Sequence, residues 1–243
     1  MNGPVKDYVC LDLETSGLYP RLDKIIEIGA VKVLDGIAGE RFQTFVNPGR
    51  KLSGHTSEIT GITDRDLESA PYIEEALPEF LVFAGELPLL GHSVLFDYSF
   101  MKKAAVNQGL TFERTGVDTL KLARKFLPEL ESKNLGFLCR HFGISHTAHR
   151  ALGDALATQR LYEVLCGLFL EGNEKDFAPQ PLIYRVKKEG PASSAQKERL
   201  YKLTAAHKLE LDADIEKMTK NEASRTIDKI LAQYGKIPEK EKF

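Results

Sequence analysis

The feature that most restricts the fold is a short apolar run, YVCLDL at residues 8–13, whose end carries two acids, Asp12 and Glu14, two residues apart. The run reads as a β-strand. A strand's period of two sends both carboxylates to one face, with Cα atoms about 6.6 Å apart, within reach of a single cation. An exposed strand end with two solvated acids would show the same pattern. Apolar residues precede the pair and Thr-Ser-Gly follows it, so burial of this strand costs free energy unless something offsets the charges.

Two further β-rich segments follow at residues 25–33 (IIEIGAVKV) and 41–46 (RFQTFV), with a hairpin signal at Asp35-Gly36. They predict an antiparallel meander. Helical patterning then covers about residues 72–84, a short strand Leu87 to Leu90, and a helix from Asp97 to about Asn107. A brief strand at Val117 precedes helices near 119–126, 134–142 and 151–170, the last with Leu152, Leu156, Gln159 and Tyr162 at helical spacing. This order predicts an α/β fold, a mixed central sheet flanked by helices.

From Gly172 to Gly190 charge, proline and glycine mix as in a linker. The expected organisation is therefore a domain over 1–172, a linker over 173–192 and a small helical module over 193–243. In the last, Ser193 with Gln196 and Thr219 with Glu222 match the S/T-x-x-E/Q capping box. Ala223, Ile227, Ile230 and Leu231 form an apolar stripe, ended by Gly235 and then Pro238.

Residues 1–184 carry 19 Lys+Arg against 25 Asp+Glu, and residues 185–243 carry 14 against 10. An acidic body suits cations and a basic tail suits a polyanion, although a surplus this small also fits a solvated surface. No apolar run approaches the roughly 20 residues of a membrane span. The N-terminal residues show no signal or transit pattern, so a cytoplasmic protein is expected. Cys10, Cys139 and Cys166 are odd in number and lack C-x-x-C spacing, against a disulfide framework or a zinc site.

Three more residues carry chemistry. Asp97 lies in GHSVLFDYSFM, where a strand turns into a helix, and taken alone it reads first as that helix's N-cap. His149 and Asp154 lie in TAHRALGDALATQRL, at the entrance to the long helix. A lone His is more often structural, and Asp154 would suit the helix dipole, yet Asp154 shares a stripe with Ala151, Ala155 and Thr158 and so faces inward. Asp118 reads as a structural N-cap, and His141 and His146 have no acid at the right spacing.

In this order, D-x-E, F-D and H-x4-D resemble the DEDDh 3′-to-5′ exonucleases, the DnaQ-like family of the ribonuclease H-like superfamily. The segments DKIIEIGAVKV, FVNP, HTSEITGIT, DTLKLARKFLP and HRALGDA resemble the exonuclease domain of PolC-type replicative polymerases, over roughly residues 6–170. Residues 193–235 resemble, more weakly, the SAP-like helical modules of some nucleic-acid enzymes.

The resemblance implies a ribonuclease H-like fold and two divalent ions, Mg²⁺ or Mn²⁺, held by Asp12, Glu14, Asp97 and Asp154, with His149 as general base. It implies hydrolysis of a single-stranded nucleic acid from its 3′ end, DNA in preference to RNA. The backbone around Thr15 to Leu18 would hold the terminal nucleotide, and Ile59, Thr60 and Phe96 would contact bases; as ordinary residues, Leu18 and Ile59 suit the core and Phe96 suits packing. One departure is Ser93, where the family often has Asn. The same five residues would serve an RNA-trimming enzyme. A silent 3′-end-binding module, or one that recruits a polymerase or helicase through the tail, is the non-enzymatic alternative.

Overall fold

The computed structural model describes residues 4–146 and 149–237. The chain divides into two compact units, Met1–Pro48 with Leu52–Val186 and Gly49–Lys51 with Lys187–Phe243. Pro238, expected beyond the last helix, lies outside the described residues.

The first unit is built on a six-stranded mixed sheet. Its strands are β1 (Tyr8–Thr15), β2 (Ile25–Leu34), β3 (Ile37–Phe45), β4 (Leu89–Gly91), β5 (Thr115–Asp118) and β6 (Gln180–Pro181), in the spatial order β3-β2-β1-β4-β5-β6. The pairs β1/β2 and β2/β3 are antiparallel, β1/β4 and β4/β5 parallel, and β5/β6 antiparallel. The meander forms because Asp35 and Gly36 both take positive φ (51° and 78°), as a two-residue hairpin matching strand twist requires.

Helices cover both faces: α1 (Gly54–Thr60), α2 (Asp64–Leu67), α3 (Ile73–Ala84), α4 (Val94–Gln108), α5 (Thr119–Phe126), α6 (Leu135–Phe142) and α7 (Ala151–Phe169). Alternation along β1 decides which face each side chain joins. Val9, Leu11 and Leu13 enter a core with Leu77 and Phe80 of α3 and Tyr98 and Met101 of α4. Tyr8 and Cys10 enter the opposite core with Leu122 of α5, Leu138 of α6 and Leu161 and Leu165 of α7. Asp12 and Glu14 continue the second row, and so do Glu27 and Gly29 on β2, beside Val31 and Val33. The acids therefore lie on the face that α7 covers.

The stretch expected to be a linker contains β6, and Phe177 within it is fully buried among α5 and α7 residues. Helices α1 and α2, absent from the sequence reading, are short and held by local caps such as the Ser53 hydroxyl, which accepts from the Thr56 N–H.

The second unit holds α8 (Ser194–His207), a 3-10 turn (Ile215–Lys217) and α9 (Lys220–Tyr234). Both predicted capping boxes form, Ser193 with Gln196 and Thr219 with Glu222. Leu200 and Leu203 pack on Ala223, Ile227 and Ile230. Gly49–Lys51 belong to this unit through an antiparallel bridge, Arg50 with Ala213. Among the described residues no helix is long and apolar enough to cross a membrane.

Candidate active site

The local reason for the site is a missing side chain. Gly29 on β2 pairs with Asp12 on β1, and a Cβ at Gly29 would lie 2.1 Å from the backbone of Ala151 and Leu152. Only glycine admits this approach, so the first turn of α7 rests on the sheet beside Asp12. Cys10 donates its thiol proton to the Ala155 carbonyl (3.1 Å) and holds the same helix to β1.

One turn into α7, Asp154 meets the strand acids. Ligand oxygens of Asp12, Glu14 and Asp154 all lie within 4.8 Å of one another. Asp97 approaches from the other side: its Oδ1 accepts from the Leu13 N–H (3.0 Å), the amide between Asp12 and Glu14. Asp97 is not the N-cap of its helix. Helix α4 begins earlier, at Val94, after Ser93 in a left-handed conformation (φ 76°), with the Ser93 N–H donating to Asp118 Oδ1 (2.9 Å). Asp118 also caps α5 through the Leu120 N–H, as the sequence implied.

The electrostatics show acids without enough positive charge. Burial pushes the Asp12 carboxyl well above the usual range, and Asp97, Asp154, Glu14 and Glu27 push further. Glu14 is pushed up to about 7, first by burial, then by Asp154 and Glu27, against the pull of Arg150. Burial raises Asp97 as well, opposed by hydrogen bonds that include the Leu13 N–H. Oxygen-only donors with this charge deficit suit a hard divalent ion such as Mg²⁺ or Mn²⁺.

His149 is not drawn into this group. It is exposed and sits at φ 62°, just before Arg150 and the start of α7. Another histidine is at the acids: His146, for which the sequence showed no acid at the right spacing, has its Nε2 2.6 Å from Asp154 Oδ1. Spacing along the chain gave no sign of this, because the two residues stand eight apart and only the folded chain brings them together.

The expected substrate contacts differ among themselves. Thr15 closes a loop, its hydroxyl donating to the Gly17 carbonyl (2.7 Å), while Asp23 Oδ2 accepts from the Tyr19 N–H (2.9 Å). That loop presents Leu18, 73% exposed, and Tyr19, 65% exposed, which the sequence reading did not single out. Ile59 is also exposed, at 46%. Phe96 is half-buried, its ring 5.1 Å from that of Phe100. Thr60 departs from expectation: it is buried, its hydroxyl donates to the Thr56 carbonyl (2.9 Å) and accepts from the Ile62 N–H (3.1 Å). Its side chain is committed to ending α1 and is not offered to a base.

Two further residues at the site escaped the motif reading. Glu27, fully buried on β2, pairs across the strands with Glu14 and binds Arg150. A charge inside the run IIEIGAV was the available signal.

A mixed sheet with carboxylates from its central strand and from the helices on either side gathers a set of oxygen donors fit for a divalent ion. The exonuclease family model matches residues 9–162. DNA polymerase III PolC-type of Clostridium perfringens is 40% identical over 156 residues, 64% of this chain and 11% of that protein. The DNA polymerase III subunit epsilon of Aquifex aeolicus is 38% identical over 157 residues, 64% of this chain and 78% of that protein. Among solved structures, Exonuclease X in complex with 5′ overhanging duplex DNA aligns with TM-score 0.55 and 24% identity, over 70% of this chain and 99% of that one. E. coli Exonuclease I in complex with a dA16 oligonucleotide aligns with TM-score 0.62 and 19% identity, over 71% and 43%. The chain belongs to the DnaQ-like exonuclease family. It spans only about a tenth of the PolC-type relatives, 11% of their length.

Proposed function

We propose that this protein is a metal-dependent 3′-to-5′ exonuclease that removes nucleoside 5′-monophosphates from single-stranded DNA ends, in proofreading, repair or end processing. The observation that carries this reading is the convergence of half-buried Asp12, Glu14 and Asp154 within 4.8 Å, with buried Asp97 fixed to the strand between the first two. The names of the polymerase III relatives and the DNA in the neighbouring structures support the choice of substrate.

In this reading Asp12, Glu14, Asp97 and Asp154 hold two divalent ions, Mg²⁺ or Mn²⁺. When bound, such ions neutralise the phosphate and favour both the attacking and the leaving oxygen of an in-line displacement. The protein's own groups do the rest. Leu18 and Tyr19, on the loop held by Thr15 and Asp23, offer apolar area to the terminal sugar and base, and Ile59 and Phe96 offer more; such contacts tolerate any base because every base has a flat face. On the strength of the family resemblance, and although the structure leaves His149 exposed and outside the acid group, we assign it the proton of the attacking water, which adds to phosphorus as the bond to the preceding 3′ oxygen breaks.

The test is degradation of matched 5′-labelled DNA and RNA strands with Mg²⁺. A ladder of shortening DNA, absent for Asp12→Asn, is the expected result. RNA as the better substrate would reassign the reaction, and an intact strand with either metal would remove the enzymatic reading.

A further inference from the structure

The Glu27 carboxylate sits where a carboxylate is costly. It is fully buried, directly across β1/β2 from Glu14, in a strand whose neighbours are apolar. Like charges facing each other across strands destabilise a sheet, so Glu27 needs strong compensation. It receives four donors. Oε1 accepts from Gln43 Nε2 (2.8 Å) and Arg150 Nη2 (3.0 Å), and Oε2 accepts from Arg150 Nε (3.3 Å) and the Ala151 N–H (3.2 Å).

Two of these contacts act on α7. Ala151 is the first residue of that helix, and the preceding Arg150 provides no side-chain cap, so Glu27 satisfies an orphan N–H from a neighbouring strand. Arg150 binds Glu27 with its guanidinium and Asp154 with its backbone: the Arg150 N–H donates to Asp154 Oδ2 (3.2 Å) and the Arg150 carbonyl accepts from the Asp154 N–H (3.0 Å). The guanidinium also lies over the Phe45 ring, 5.1 Å from its centre. A continuous path thus runs from Glu27 through Arg150 to Asp154.

We propose that Glu27 and Arg150 form a clamp that positions Asp154 for metal binding, making Arg150 a positioning residue that raises metal affinity although it is itself a cation beside the acids. The inference rests on the reading that Asp12, Glu14 and Asp154 hold a divalent ion. Charge and geometry then predict opposite signs for one variant. By charge alone, Arg150→Gln removes a repelling cation and tightens metal binding. By the clamp, it frees the start of α7 and weakens binding, on the scale of about tenfold or more seen when outer hydrogen bonds to metal ligands are lost.

The experiment is calorimetric titration of Mn²⁺ into the metal-free full chain, with thermal melts alongside. Wild type is expected to bind, Arg150→Gln to bind about tenfold more weakly while melting cooperatively, and Arg150→Lys to fall between, since lysine keeps the charge but not the two-pronged fit. Glu27→Gln is expected to weaken binding similarly. Arg150 is 44% exposed, so its variants carry the test even if Glu27→Gln fails to fold. Equal or tighter Mn²⁺ binding by Arg150→Gln, or an Arg150→Lys protein indistinguishable from wild type, would overturn the clamp. Absence of Mn²⁺ binding by wild type would instead remove the metal reading beneath it.

Discussion

Asp97, in the first turn of α4, accepts a hydrogen bond from the backbone N–H of Leu13 on β1, at 3.0 Å. Leu13 points its side chain into the core with Leu11 and Val9, and its neighbours Asp12 and Glu14 point the other way. One bond therefore fastens a third carboxylate to the strand that carries the other two. Asp97→Asn keeps an oxygen for the Leu13 N–H and removes a buried negative charge. The expected outcome is a metal-free protein that melts higher than wild type, with exonuclease activity at least about tenfold lower. Melts in chelator and initial rates in Mg²⁺ check both halves.

The raised acids give the metal-free protein an unusual pH response. Glu14 is pushed from 4.5 to about 7 by burial, with Asp154 and Glu27 adding, and Asp12 and Asp97 shift the same way. A carboxyl whose folded pKa is raised contributes stability that is fully present below its unfolded value and lost as pH rises through the folded one. The window for Glu14 therefore runs from about 4.5 to about 7. Melting temperature in chelator should fall as pH rises across it, and the gain from added Mg²⁺ should grow. A melting temperature that rises with pH across this window would contradict the burial of these acids.

Ser93 bears a conformational cost that its side chain does not recover. It lies at φ 76° and makes no capping hydrogen bond, while its backbone N–H is held by Asp118. Glycine and asparagine tolerate this region best. Ser93→Gly is expected to raise stability by up to about 1 kcal/mol, with Ser93→Asn in the same direction. Chemical denaturation midpoints measure it.

Gly29 has no such latitude. A methyl group there would lie 2.1 Å from the α7 backbone, which cannot yield as a flexible side chain would. Gly29→Ala should cost about 1–3 kcal/mol and, by displacing Asp154, weaken Mn²⁺ binding. A variant with wild-type stability and affinity would show that α7 does not depend on this contact.

Where local rules decide the outcome, the sequence was sufficient. The period of two placed Asp12 and Glu14 on one face, and both capping boxes of the second unit began helices at Ser194 and Lys220. Where a distant residue decides, it was not. Helix α4 starts before Asp97 because Asp118 holds the Ser93 turn, and β6 forms only because β5 offers it an edge. Linker-like composition hid Phe177, whose burial comes from α5 and α7 packing around it. The two histidines illustrate the same limit: motif spacing selects His149, whereas the structure puts His146 on Asp154. Glu27 could have been found as a charge set between apolar residues in its strand, but its partner Arg150 lies 123 residues away.

The central claim is that the carboxylates of Asp12, Glu14, Asp97 and Asp154 bind divalent ions. Anomalous diffraction at the manganese edge, from crystals soaked in Mn²⁺, tests it directly. Strong peaks among these four side chains, lost in Asp12→Asn crystals, are predicted; an occupied crystal with no anomalous density there would contradict the account.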